Sequence, residues 1–231
     1  LINLINEGNP GNAGSSTYRK FPDWRKRFGK EPPVDILANT DVANEFARML
    51  VDCEGSFGAK MRKRLREDWG CEALVSDWNG FVQRPEYTSG RAVYDYADDH
   101  FYVDHPVFPG AQWELPSNCP NENPVRGGAD YIHKVERRRP KGIPLVITEY
   151  NFSAPGEYRG VGGILASAYA SALDWSGLWR FAYSHDATGC IDPTKKPITF
   201  FDVSGDPLGM ASDRASLCMF IRRDLDVGGQ S

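Results

Sequence analysis

The sequence is poor in the features that mark several function classes. It holds five cysteines, Cys53, Cys71, Cys119, Cys190 and Cys218, and no Cys-x-x-Cys pair. Neither a zinc-site spacing nor a regular disulfide framework is encoded, and the odd count leaves at least one thiol free or paired outside the chain. Cys53 and Cys218 fall on apolar helical stripes and read as small core residues. No apolar run approaches the roughly 18 residues that a membrane span needs. Positive charge is not in excess: the net charge is -4, which argues against a phosphate-backbone partner. The basic clusters Arg25-Lys26-Arg27, Lys60 to Arg66 and Arg137-Arg138-Arg139 have acids nearby and read as solvated helix faces. No glycine-rich phosphate loop follows a strand-like run. There is no initiator Met and no signal peptide, and the first residues lie inside an apolar strand pattern. The start of the natural protein is therefore expected further upstream.

What is present is ordinary globular composition, with 41% hydrophobic and 25% charged residues over 231 positions. That length is enough to bury a large single core. Aromatics reach 12%, with six Trp and ten Tyr, a content that suits stacking platforms as well as a large core.

Strand-like and helix-like stretches alternate. Leu1-Ile2-Asn3-Leu4-Ile5 reads as a strand running into Asn6-Glu7 and a polar, glycine-rich loop. A short helix is expected from Trp24 to Phe28. From Thr40-Asp41 a long helix carries Val42, Phe46, Met49, Cys53, Phe57, Met61, Leu65 and Trp69 at three- and four-residue steps, and Gly70 stops it. Cys71 to Ser76 and Ala92 to Tyr102 read as strands, followed by a Pro- and Asn-rich loop, Val103 to Arg126, suited to an active-site wall. A helix over Ala129 to Arg139, a strand from Pro144, a helix over Tyr158 to Trp175 and a last strand over Gly177 to Tyr183 follow. In the Tyr158 helix, Ile164, Leu165, Ala168 and Ala172 are expected inward. In the last strand, alternation puts Trp179, Phe181 and Tyr183 on one face. Asp206 then caps a helix with Pro207 at its first position, carrying Leu217, Cys218 and Ile221 on its apolar face. Such alternation predicts an α/β fold of parallel strands with helical crossovers. Polar and titratable residues gather at the C-terminal ends of the strands, as in a (β/α)8 barrel. Five strands are present rather than eight, so the expectation is a partial TIM barrel, with 1–225 forming its C-terminal part and 226–231 a linker or the start of a further segment.

Two carboxylates stand out. Glu149 ends the apolar run Leu145-Val146-Ile147 and Glu7 ends the first strand. A carboxylate at the end of a buried strand is costly unless it has a task. Two of them, each at a strand exit, are what glycoside hydrolysis requires.

With Asn6-Glu7, His100-Phe101-Tyr102 and Ile147-Thr148-Glu149-Tyr150-Asn151 in this order, the chain resembles the clan A glycoside hydrolases, most of all the cellulase-like family 5 enzymes. The resemblance covers nearly the whole chain as barrel strands four to eight. It implies Glu7 as acid/base, Glu149 as nucleophile, and Asn6, His100 and Tyr102 around the substrate. It also implies an aromatic residue from strand eight, for which Trp179 and Tyr183 both qualify, and Trp78 past strand five is a further stacking candidate. The substrate would be a β-linked oligo- or polysaccharide, the location extracellular or periplasmic, and no cofactor or metal is called for. Retention would need the two carboxyl groups about 5–5.5 Å apart. The missing barrel strands would be required as partners, so the 231-residue chain alone is expected to be poorly stable or inactive, with strands four and eight left as edges.

Two other classes remain open. Asp98, Asp99, His100, Asp104 and His105 crowd together densely enough to suggest a metal-dependent hydrolase. A non-catalytic carbohydrate-binding or scaffold barrel would keep the fold without turnover. Strand alternation sends Asp99 and His100 to opposite faces, which weighs against the metal reading.

Overall fold

The computed structural model describes residues 2–6, 40–79, 90–126, 129–195 and 198–225, the backbone alone at several positions near its start. The helix expected at Trp24 to Phe28, and Glu7, lie outside the described residues. The chain divides into two compact units, one formed by Leu1–Asp99 with Arg137–Leu145 and the other by His100–Glu136 with Val146–Ser231. Among the described residues the strands pair in parallel and helices intervene, so the fold is α/β.

In the first unit, β1 (Ile2–Asn6) pairs in parallel with β2 (Val75–Asn79), in a register that sets Ile5 beside Trp78 and Asn6 beside Asn79. Between them runs α1 (Thr40–Glu67). Gly70, at φ +60°, supplies the left-handed turn beyond its end, and the Cys71 amide reaches back to the Leu65 carbonyl at 2.9 Å. The apolar stripe read from sequence is covered only in part: among its described side chains Leu65 is buried and Met61 half-buried. Phe57 is 44% and Trp69 64% exposed, and Cys53 is exposed rather than a core residue. Burial takes in Glu54 and Gly58 beside Leu65, and Leu65 packs with Val75 and Tyr94. Polar anchoring explains the rotation. Arg62 and Arg66, on the flank of that face, both reach Asp95, whose carboxylate also accepts from the Val75 amide at 2.9 Å.

A further sheet runs in the order β3-β4-β5, from β3 (Ala97–Val103), β4 (Leu145–Phe152) and β5 (Gly177–Arg180), and all of it from His100 and from Val146 onward belongs to the second unit. The Ala97 amide bonds Pro144 and the Ser153 amide bonds Val103, so β3 and β4 start together and end together. Helix α2 (Ala129–Arg137) buries Ile132 and Val135 completely. Helix α3 (Gly162–Ala172) begins four residues later than Tyr158, after a 3-10 turn over Glu157–Val161. Its covered face is Gly162, Gly163, Ala166, Ser167, Ala170 and Ser171, while Ile164 is 37% exposed. Close approach decides this. A side chain at Gly163 would come within 2.6 Å of the Ser212 carbonyl, so the small face lets α3 lie against α5 (Pro207–Ser216), and bulkier residues turn outward. Asp206 caps α5 by accepting from Leu208 and also takes Arg159 at 2.7 Å. Before it comes the short α4 (Ala187–Ile191), capped by Asp186. Beyond Ser216 the chain widens into a π turn, which leaves Leu217 and Ile221 exposed and Cys218 only half-buried, contrary to the apolar face expected for them.

Candidate active site

The site is set by a slip in strand register. Ile147 of β4 lies beside Leu178 of β5, and Tyr150 lies beside Arg180. Three steps along β4 therefore match two along β5, so β4 carries one extra residue within the segment that contains Thr148 and Glu149. Regular pleating would send those two side chains to opposite faces, whereas a bulge re-aims them. Both are half-buried in a strand otherwise covered along its length, and both reach His100 of β3, Glu149 meeting Tyr102 as well. His100 Nε2 is 2.8 Å from Thr148 Oγ1, and Tyr102 donates its hydroxyl to Glu149 Oε2 at 2.5 Å. His100 Nδ1 lies 3.5 Å from the same carboxylate oxygen. His100 and Tyr102 are two apart on β3 and so share a face.

Burial controls the electrostatics. The His100 side chain is wholly covered, and loss of hydration pushes its pKa down to about 4. The ring is thus neutral across the ordinary pH range. The carboxylate facing Nδ1 favours the proton there, which leaves Nε2 to accept from the Thr148 hydroxyl. Glu149, at 19% exposure, stands where buried strand meets solvent. Behind it the sheet is rigidly backed. Phe101 stacks on Tyr150 at 5.7 Å and meets Trp175 edge-on, and the Trp175 indole donates to Glu136 at 2.8 Å. Burial raises the Tyr150 phenol to about 12. The Asn151 amide donates to the Phe181 and Phe201 carbonyls, tying β4 to the segments that follow.

The other expected site residues divide into two groups. Asn6 and Trp78 sit near the C-terminal ends of the paired β1 and β2, and their side chains, like all of Glu7, lie outside the described residues. Trp179 and Tyr183 are each 47% exposed. They do not form one strand face with Phe181, because β5 ends at Arg180. From there the backbone bonds over to another segment, Ala182 to Phe201 and Val203 to Ala182. The Trp179 ring lies back over Gly177, where a side chain would meet it at 2.1 Å. Phe201, which no local pattern marks out, is a ring delivered to Tyr102, at 5.3 Å. A larger aromatic cluster continues from there through His105, Phe108, Trp113 and Phe200.

The crowded Asp98–His105 stretch spreads over separate structural roles. Asp99 lies 3.0 Å from Arg138, and Asp98 is buried with its carbonyl taken by Arg91. Asp104, at φ 58°, accepts from the Glu122 amide; its pKa is raised by burial more than that hydrogen bond lowers it. His105 Nδ1 donates to the Pro106 carbonyl at 3.1 Å. Among the described residues no three His, Cys, Asp or Glu side chains are grouped so as to hold a metal ion, and no described helix is long and apolar enough to cross a membrane.

No protein-family model, curated protein or solved structure matches this chain. The geometry at Glu149 is what a functional reading has to work from.

Proposed function

We propose that the chain forms part of the catalytic centre of a retaining glycoside hydrolase acting on a β-linked oligo- or polysaccharide, built on strands four to eight of a (β/α)8 barrel. The observation that carries this reading is the Glu149 carboxylate, re-aimed by the bulge in β4 and held by the Tyr102 hydroxyl at 2.5 Å. A nucleophilic carboxylate needs a fixed direction and a partner that steadies its charged form without neutralising it. A phenol supplies both. The buried, neutral His100 adds a second polar wall and no competing positive charge.

In the proposed reaction a Glu149 oxygen attacks the anomeric carbon while the glycosidic C–O bond breaks. The departing oxygen takes a proton from the acid/base, for which Glu7 is the candidate. Water, deprotonated by the same carboxylate, then displaces Glu149 and releases the sugar with its original anomeric configuration. Asn6 is assigned to the sugar 2-hydroxyl, and Trp78, Trp179 and Tyr183 to the outer walls of the cleft.

The test gives the full-length parent protein β-1,4-linked gluco-, manno- and xylo-oligosaccharides, with products followed by anomer-resolved NMR. Retention by the wild type, and loss of turnover in Glu149→Gln with oligosaccharide binding preserved, is the expected result. Inversion, or hydrolysis unchanged in Glu149→Gln, would sink the proposal.

A further inference from the structure

Catalysis at Glu149 leaves the aromatic cluster beyond Tyr102 without a task. Its outermost ring, Trp113, has three properties that rarely coincide. Its backbone is left-handed, at φ 69°, a conformation that bulky residues seldom adopt and that is retained where the surroundings impose it, often at ligand sites. Its ring is braced by Phe108 at 5.2 Å, by His105 at 5.8 Å and by Phe200 and Phe201 at 6.1 Å each. Yet it remains 49% exposed. A ring that is fixed from behind and open in front is a preorganised apolar surface, because ordering it costs nothing further when a ligand lands.

Its place is defined by two ring-to-ring steps from the candidate nucleophile. Trp113 meets His105, and His105 meets Tyr102 at 5.7 Å; the Tyr102 hydroxyl is on Glu149. Two residues further along the chain begins the lining of a cavity of about 530 Å³, to which Leu115, Ser117, Thr199 and Arg159 all contribute. An aromatic face with hydroxyl and guanidinium groups close by suits a pyranose ring, which presents C–H bonds on its faces and hydroxyls around its rim.

We propose that Trp113 is the stacking platform of an outer sugar subsite, holding a ring of the substrate beyond the one attacked by Glu149 and so setting a preference for longer oligosaccharides. This rests on the glycosidase reading above. The test measures kcat and KM of wild type, Trp113→Ala and Trp113→Phe on β-1,4-linked gluco-, manno- and xylo-oligosaccharides of two to six residues, with thermal melts of all three proteins. In Trp113→Ala, KM for the longest good substrate is expected to rise about tenfold with little change in kcat, the loss shrinking as the substrate shortens. Trp113→Phe recovers most of it. A length-independent loss, or no loss on any length, overturns the platform and leaves the glycosidase reading standing. If the full-length wild type hydrolyses none of these sugars the glycosidase reading falls. The platform is then decided by titrating the same oligosaccharides against tryptophan fluorescence. Binding weakened in Trp113→Ala keeps the platform, and binding that is absent or unchanged removes it.

Discussion

Asp95 and Glu149 are both carboxylates beside parallel strands, and both are held by several groups, yet they are held differently. Asp95, at 12% side-chain exposure, receives the guanidiniums of Arg62 and Arg66 and the Val75 amide. Its charge is balanced by cations, and its geometry ties α1 to the start of β2. Glu149 receives a phenol and lies beside an imidazole that burial keeps neutral. A carboxylate saturated by guanidiniums is a poor nucleophile and a good anchor. One steadied by neutral groups at a solvent boundary can still attack carbon. The chemistry of the holding groups, more than burial or strand position, separates an anchor from a candidate catalyst.

The contrast is broken most directly at Glu149 itself. Glu149→Gln keeps the shape and the contact with Tyr102 but removes the nucleophile, and turnover of oligosaccharide is expected to fall by about 10⁴-fold or more. The melting temperature should stay close to that of the wild type, which circular dichroism would check. A large loss of stability with modest loss of activity would place Glu149 with Asp95 among the anchors.

The opposite pattern is expected at Asp95. Asp95→Ala leaves two arginines without their acceptor and the Val75 amide without its partner, at a cost of about 2–3 kcal/mol in urea unfolding. The kcat of the folded fraction should not move. If kcat fell while the urea midpoint stayed, Asp95 would be acting on the site rather than on the fold.

How much of this was readable in advance depends on the distance over which the causes act. Glu149 was legible because a carboxylate at the end of an apolar run is conspicuous, and His100 and Tyr102 because His100-Phe101-Tyr102 resembles an element of the clan A glycoside hydrolases. Thr148 was not, because the bulge that turns it toward His100 depends on what β5 pairs with. Alternation alone sent it the other way. The stripe on α1 was legible as a helix but misled about its buried face. Leu65 faces inward as periodicity predicts, but Phe57 and Trp69 do not, because the Arg62 and Arg66 bonds to Asp95 turn the helix so that Leu65 meets Val75 and Tyr94 and those two rings are left outside. In α3 the bulky residues suggested the covered side, and backbone approach at Gly163 selected the small ones. Trp113, Phe200 and Phe201 meet only because two loops far apart in sequence converge, and no local pattern announces that.

A third measurement uses pH to sharpen the role of burial at the site. His100 has its pKa depressed from an ordinary value near 6.5 to about 4. Between those values the unfolded chain takes up a proton that the folded chain refuses. The stability His100 contributes is therefore complete above about pH 6.5 and is lost as the pH falls toward 4, by up to about 3 kcal/mol. His100→Gln cannot titrate. The wild type's stability relative to this variant should decline across that interval, as followed by thermal melts at half-unit steps. Parallel curves would mean that the imidazole is not held neutral by its surroundings.

The smallest expected effect isolates the phenol. Tyr102→Phe keeps the ring that touches Phe201 and His105 and deletes only the O–H on Glu149, so packing is conserved and one hydrogen bond to a charged group is lost. Such a bond is worth about 1.5–3 kcal/mol. Water can enter at the half-buried Glu149 and restore part of this, which leaves a loss of about tenfold in kcat, near 1.4 kcal/mol, with KM within about twofold. The same deletion at the anchor, Arg66→Met beside Asp95, would register in unfolding and not in kcat. If Tyr102→Phe behaved that way too, losing stability but no rate, then neutral holding groups would not distinguish Glu149 from Asp95. Its assignment as nucleophile would lose the feature that sets it apart.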